Sequence, residues 1–256
     1  MSKIFTILGC GSSLGSPWIT GHWGNCNRND IKNIRTRCSA HIYYNGLSIL
    51  IDTSPDIKEQ IKKNKIKGVD AVIYTHEHSD QASGIFELRP FTWINKKKIP
   101  IYGSKRTINE LKKKYTFCFI PKSGYTPILK PNIIKNNFRI TKSNNFLNIK
   151  SFDVDHGMIK ATGYVFNKVC YISDCNNIDK KNFKYLRGLK YLIIDCLRIR
   201  KHPSHFNLDE AIKISNFFNP KKTILTNLHV DFDYKTLKKI MPSNIIPAYD
   251  GLKFNF

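Results

Sequence analysis

Short apolar runs alternate with polar, turn-forming segments along the whole 256-residue chain. Most runs have the length and the β-branched or aromatic content typical of buried strands. We predict strands at 3–9, 41–45, 47–52, 69–75, 99–103, 146–154, 161–166, 169–173, 191–195 and 223–226, with a final pair near Ile245 and Leu252. Two segments have helical spacing: 55–63, with Ser54 as a cap and Pro55 in the first turn, and 207–218, capped by Asn207.

The order of these elements predicts the fold class. Strand pairs come first, and strands then alternate with helices, twice over. This order favours an α/β fold in which two mixed β-sheets pack face to face between helices, with a functional groove along the strand ends. Because no repeat or low-complexity linker divides the chain, we expect a single domain over residues 1–256.

The composition is that of a globular protein, with 41% hydrophobic residues to build a core. No stretch approaches the roughly 18 apolar residues that a membrane span needs. Seven cysteines are scattered without a Cys-x-x-Cys pair, which suits a reducing compartment. We therefore expect a cytoplasmic protein without a membrane partner.

A net charge of +23 would attract polyanions. The excess is mostly lysine, however, and it is spread from Lys58 to Lys253 among many Asn and Ile residues, as AT-rich coding would produce. A positive field attracts a small phosphorylated ligand equally well. We expect such a ligand as the partner, with nucleic acid as the less favoured alternative, and a homodimer stays open.

The segment Thr75-His-Glu-His-Ser-Asp-Gln81 follows the apolar run at 69–75 and carries the strongest chemical signal. Two imidazoles and a carboxylate in a loop at the end of a strand can converge on a metal ion without disturbing a core. A solvated loop is the alternative. Other residues must decide between the two.

Further polar clusters also stand where a predicted strand has just ended. They are Asp155-His156, Ser173-Asp174, His202-Pro-Ser-His205 and Asn227-Leu-His229. Each alone is compatible with a turn or a helix cap, but their repetition favours one shared site. Imidazoles and carboxylates bind zinc, and water on such an ion loses a proton near pH 7, which supplies hydroxide at neutral pH.

With these residues in hand, the chain resembles the metallo-β-lactamase superfamily, and within it the phosphoribosyl cyclic phosphate phosphodiesterases and their bacterial relatives. The match runs from the glycine turn at 8–17 through the His-x-His-x-Asp motif to Tyr249-Asp-Gly251. The resemblance implies an αββα sandwich. It also implies a first metal held by His76, His78 and His156, with Asp174 bridging to a second metal that Asp80 binds.

Two departures affect the second metal. Gln81 and Asn227 stand where the resemblance implies imidazoles. Three interpretations stay open: His229 substitutes for a lost ligand, one metal is bound, or amide and carboxylate oxygens favour manganese, iron or magnesium. Loss of activity is a fourth. We expect one or two divalent ions, with zinc at the first site and manganese or iron as candidates for the second.

The resemblance also implies a mechanism. A metal-bound hydroxide, oriented by Asp80, attacks a phosphodiester, and His205 protonates the leaving oxygen. A helix cap is the structural alternative for His205. The expected substrate is a small phosphodiester, and cyclic phosphodiesters are among the candidates.

Four further residues are candidates for contacting the substrate. Arg35 and Arg37 have planar guanidinium groups that can hold a phosphate, and Gln81 and Asn227 stand within the implied site. Two functions from other classes stay open: a nuclease of the tRNA-processing type that acts on RNA or DNA, and a catalytically silent protein that binds a phosphorylated ligand.

Overall fold

A computed structural model describes residues 2–121 and 124–256, and it contains two seven-stranded β-sheets. The strands are β1 Lys3–Gly9, β2 Ser39–Tyr44, β3 Leu47–Ile51, β4 Ala71–Ile73, β5 Ile99–Gly103, β6 Leu129–Ile133, β7 Asn137–Lys142, β8 Asn145–His156, β9 Ile159–Phe166, β10 Val169–Ile172, β11 Tyr191–Asp195, β12 Lys222–Thr226, β13 Ile245–Pro247 and β14 Lys253–Asn255. The first sheet has the order β14-β1-β2-β3-β4-β5-β6, and the second has the order β13-β12-β11-β10-β9-β8-β7.

The two sheets bury a common apolar layer between them. Phe5 and Ile42 of the first sheet lie in the same cluster as Tyr171 and Ile193 of the second. The ring of Phe5 lies 6.0 Å from that of Phe166, so the aromatic contacts cross the interface directly. This confirms the prediction of two mixed sheets packed face to face.

Helices cover the outer face of each sheet. They are α1 Ile57–Lys63, α2 Ser79–Ala82, α3 Arg89–Asn95, α4 Lys105–Lys114, α5 Leu208–Phe218 and α6 Tyr234–Ile240, with short 3₁₀ turns at Ile31–Asn33, Ser83–Leu88, Thr116–Cys118 and Lys180–Tyr185. Asn207 caps α5 in a reciprocal capping box with Glu210, as its sequence indicates. None of the helices in the described part of the chain is long and apolar enough to cross a membrane.

The sequence pattern missed β6, β7 and four of the six helices. β6 and β7 are the edge strands of the two sheets and are largely exposed, so they lack the apolar signal of a buried strand. The first helix begins at Ile57, after Asp56, and not directly after Ser54 as predicted. The hydroxyl of Ser54 instead donates to the buried side chain of Gln60 over 3.1 Å.

Parallel pairing brings the functional loops to one edge. In the first sheet β3, β4 and β5 run parallel, and in the second β10, β11, β12 and β13 do. The carboxyl ends of parallel strands meet at the same edge, so the polar clusters that follow them gather there. The last residue of the long strand β8, His156, reaches the same place from the antiparallel side.

Candidate metal centre

Three histidines converge at the strand ends. His76 lies after β4, His78 is the residue before α2, and His156 ends β8. One ring nitrogen from each lies within 4.8 Å of the others. The ring centroids are 4.6 to 5.0 Å apart and the rings are roughly perpendicular, so nitrogen atoms face a common point and the rings do not stack.

His76 is fully buried and is oriented by a chain of hydrogen bonds. The backbone nitrogen and the hydroxyl of Thr75 both donate to Asp52 over 2.8 Å. Because that hydroxyl has a single proton, its oxygen accepts the Nδ1 proton of His76 over 3.0 Å. Nε2 of His76 is then unprotonated, and it is buried without a hydrogen-bond partner in the part of the chain that the structure describes. A buried lone pair without a partner is costly unless a ligand binds it.

The other two histidines complete the arrangement. Nδ1 of His156 donates to the carbonyl oxygen of Ser204 over 2.8 Å, which leaves its Nε2 free. That Nε2 lies 3.2 Å from Nδ1 of His78. Two nitrogen ligands of a tetrahedral zinc ion, each about 2.0 to 2.1 Å from the metal, are separated by roughly 3.3 Å. The spacing fits a zinc ion between them.

The protonation states suit metal binding. Burial lowers the pKa of His76 to about 3, and burial together with the neighbouring His156 lowers that of His78. Neutral imidazoles are the form that binds a metal. The three residues therefore fit a divalent ion, with Thr75 and Ser204 orienting two of the rings.

Two carboxylates lie beside the histidines. Burial would raise the pKa of Asp174, but His76 and His205 favour its charged form, and its pKa lies below the usual value. Asp80 lies in the first turn of α2. Burial, and then the charge of Asp174, raise the pKa of Asp80 to about 6. An oxygen of Asp174 converges with ring nitrogens of His156 and His205, whereas Asp80 belongs to neither group of converging ligand atoms in residues 2–121 and 124–256.

An ion pair between His205 and Asp195 adjoins the three histidines. Nδ1 of His205 lies 2.7 Å from Oδ2 of Asp195, and Asp195 is completely buried at the end of β11. Burial alone would lower the pKa of His205, but the Asp195 carboxylate reverses this and raises it to about 9. The ring of His205 lies 4.7 Å from that of His156, measured between centroids. A protonated imidazole is therefore held next to the three histidines.

Asp195 was not among the residues singled out from the sequence. The available signal was an acidic residue at the end of an apolar strand, Tyr191–Asp195, just before a polar loop. The roles of Thr75 and Asp52 were also missed, because they depend on a contact between the ends of two separate strands.

Gln81 and Asn227 are buried next to the carboxylates. Nε2 of Gln81 donates to Oδ2 of Asp174 over 3.2 Å, and Nδ2 of Asn227 lies 3.3 Å from Oδ1 of the same residue. Oε1 of Gln81 is buried without a partner. Both amides thus lie inside the site, with their nitrogen atoms directed at a carboxylate.

The structure does not bring three other candidates to the cluster. Neither group of converging ligand atoms in residues 2–121 and 124–256 includes His229, which lies 3.1 Å from Asp231. Arg35 is 1% exposed, and its guanidinium donates to the carbonyl oxygens of His229 and Phe232. Arg37 forms an ion pair with Asp56 over 2.9 Å.

The fold and the histidine cluster define a metallo-β-lactamase type of protein. Residues 48–227 match the model of the β-lactamase superfamily domain, so the chain belongs to that superfamily. Within it, the chain is 30% identical to a new diphosphatase from the PhnP family, whose crystal structure superimposes with a TM-score of 0.91 and covers 100% of this chain and 98% of that one.

Two further proteins are similar to this chain. The chain is 31% identical over 252 residues to an octanoyltransferase of Porphyromonas gingivalis (strain ATCC BAA-308 / W83). The aligned region covers 96% of this chain but only 50% of that protein. It thus spans about half the length of that protein. Zn²⁺-bound PqqB from Methylobacterium extorquens has the same fold, with a TM-score of 0.78, 16% identity and coverage of 99% and 100%.

Proposed function

We propose that this protein is a metal-dependent hydrolase that cleaves a phosphodiester bond in a small molecule. The observation that carries the proposal is the buried, partnerless Nε2 of His76 directed at the same point as the free nitrogens of His78 and His156. Similarity to a diphosphatase at 30% identity over nearly the full length supports a substituted phosphate as the substrate.

His76, His78 and His156 would hold the ion. The chemistry that a divalent ion supplies when bound is activation of water near neutral pH and polarisation of a phosphoryl oxygen. Burial and the charge of Asp174 raise the pKa of Asp80, and its carboxylate would orient the attacking water by accepting a hydrogen bond.

His205 would donate the proton that the leaving oxygen needs. Its Nδ1 proton is held by Asp195 over 2.7 Å, so the proton that can be transferred is the one on Nε2. Its raised pKa keeps that proton in place at neutral pH. A leaving alkoxide is a poor leaving group, and protonation in the transition state lowers the barrier.

A diphosphate is the second candidate substrate, because the 30% identical relative is a diphosphatase. Both candidates contain a phosphorus atom that carries two bridging oxygens, one of which leaves on hydrolysis, so the same residues would serve either reaction. The two differ in the leaving group, since a phosphate leaves more readily than an alkoxide and depends less on proton donation by His205.

The test is hydrolysis of bis(4-nitrophenyl) phosphate and of an alkyl diphosphate by protein loaded with Zn²⁺ or Mn²⁺. We expect turnover of at least one substrate, and a loss of at least about 100-fold in His78→Ala. His22→Ala is the matched control, because His22 is exposed and lies outside both groups of ligand atoms. Equal turnover by His78→Ala and the wild type would refute the metal mechanism.

A further inference from the structure

The amide of Asn227 occupies a position that is lined mainly by oxygen atoms. Its Nδ2 lies 3.2 Å from the carbonyl oxygen of Ser173, 3.3 Å from Oδ1 of Asp174 and 3.2 Å from Oδ1 of Asp195. The remaining neighbour is Nδ1 of His205 at 3.1 Å, whose proton is directed at Asp195. The amide of Gln81 donates to the other oxygen of Asp174. Both oxygens of this buried carboxylate therefore receive an amide N–H, in an environment of several acceptors that would otherwise suit a cation.

The orientation of the two amides is determined by these contacts. Rotating Asn227 by half a turn would place its Oδ1 among three other oxygens, and rotating Gln81 would direct Oε1 at Asp174. Each rotation would replace an attraction between donor and acceptor with a repulsion between acceptors. The NH₂ groups thus face the carboxylates.

In residues 2–121 and 124–256, the remaining ligand atoms do not form a second independent site. The second group of converging atoms comprises His156, Asp174 and His205. His156 donates its Nδ1 proton to Ser204, so its single free nitrogen, Nε2, can serve only one ion. Both groups require this nitrogen of His156, so only one of them can be complete at a time, and without it the second group retains only Asp174 and Nε2 of His205, whose Nδ1 is held by Asp195.

We propose that this chain binds a single divalent ion, on His76, His78 and His156, and that the NH₂ groups of Gln81 and Asn227 replace a second cation beside the buried carboxylate. The inference rests on the metal centre of the proposed function but not on its substrate. An amide N–H carries a partial positive charge at a fixed position, so it can stabilise the carboxylate and hold it in one orientation.

The test is the stoichiometry of Zn²⁺ and, separately, of Mn²⁺ in metal-free protein that has been reloaded and desalted, measured by elemental mass spectrometry. We expect one equivalent per chain for the wild type and two for Gln81→His/Asn227→His. Electron paramagnetic resonance of the Mn²⁺ samples gives a second readout, with isolated ions in the wild type and spin-coupled pairs in the double variant.

The backbone conformation at Asn227 can accommodate histidine or aspartate. Asn227 has a φ of 62°, and Asn, Asp and His are the non-glycine residues found most often in this region. Asn227→Asp has nearly the same size and provides a second variant, which should also gain an equivalent of Mn²⁺ because a carboxylate attracts a cation there. Asn109→His, on the exposed face of α4, is the control and should bind as the wild type does.

Two equivalents in the wild type with either metal would overturn the inference and leave the proposed hydrolase intact. If neither the double variant nor Asn227→Asp binds a second ion, the inference is also overturned, because the amides are then not what excludes that ion. One ion in the wild type without phosphodiester or diphosphate hydrolysis would support the inference and refute the proposed function.

Discussion

Asp195 and His205 form a buried pair in which Nδ1 of the imidazole donates to Oδ2 of the carboxylate across 2.7 Å. The backbone nitrogen of Cys175 donates to the same Oδ2 over 2.8 Å. These two donors compensate a carboxylate that is completely buried. The pair therefore fixes both the protonation of His205 and the nitrogen that faces the histidine cluster.

Asp195→Asn should shift the pH dependence of hydrolysis. With the Asp195 carboxylate present, the pKa of His205 is raised to about 9, so its proton is available below that pH and is lost above it. Without the carboxylate the pKa falls, and the alkaline limb of kcat/KM should move to lower pH by at least about one unit. Asp179→Asn, at an exposed ion pair with Lys181, is the control. An unchanged alkaline limb would mean that His205 is not the proton donor.

Thr75→Val should weaken metal binding without removing a ligand. The variant lacks the oxygen that accepts the Nδ1 proton of His76, so the ring loses its orientation. Loss of such a supporting group typically weakens metal affinity by about 10- to 100-fold. A competition titration with a chromogenic chelator measures the change. Thr75→Ser retains the hydroxyl and should bind zinc with wild-type affinity, and a Val variant that does so as well would contradict the assigned role.

Arg35→Lys should destabilise the fold. The guanidinium donates to the carbonyl oxygens of His229 and Phe232 and to Oδ1 of Asn33, and it is almost completely buried. A lysine ammonium cannot reproduce this planar set, and we expect a loss of about 3 kcal/mol in the free energy of unfolding.

Urea unfolding measures this effect, and the exposed Arg139→Lys serves as the control. The same variant also tests the sequence-based hypothesis that Arg35 contacts the substrate. A raised KM at unchanged stability would favour substrate binding over the structural role.

The fold should lose stability at mildly acidic pH through His41. Burial, and then Lys253, lower the pKa of His41 to about 4. A histidine whose pKa is lowered in the folded state makes its full contribution to stability above its pKa in the unfolded state, about 6.5. This contribution is lost as the pH falls towards 4, because the unfolded state then binds the proton more readily. The shift corresponds to about 3 kcal/mol. His41→Gln should flatten the stability curve between pH 4 and 6.5, whereas the exposed His22→Gln should not.

Local signals predicted the central strands and the ligands His76 and His78, whereas the grouping of His156 with them came from the repeated polar clusters at strand ends and from the family resemblance. Apolar runs gave the central strands, and the His-x-His-x-Asp motif marks a loop at a strand end. The exposed edge strands lack that signal, and α4 buries only Thr107, Ile108 and Leu111, so its apolar face is narrow.

The environment of Arg35 illustrates what the sequence did not provide. In sequence, the residue stands in a polar loop and is indistinguishable from a solvated arginine. Its partners lie about 200 positions away along the chain, at His229 and Phe232, and only the contact between the loop after β12 and the segment around Gly11 brings them together. The amide contacts of Asn227 and the role of Asp195 depend on similar long-range contacts.

The hydrogen bond between Nδ1 of His156 and the carbonyl oxygen of Ser204 joins the two halves of the site mechanically. One end of that bond belongs to a residue of the histidine cluster, and the other belongs to the loop residue directly before His205. One hydrogen bond therefore sets the orientation of the His156 ring and also holds the backbone directly before His205. The residues proposed to bind the ion and the residue proposed to donate the proton are in this way positioned by the same contact between β8 and the loop after β11.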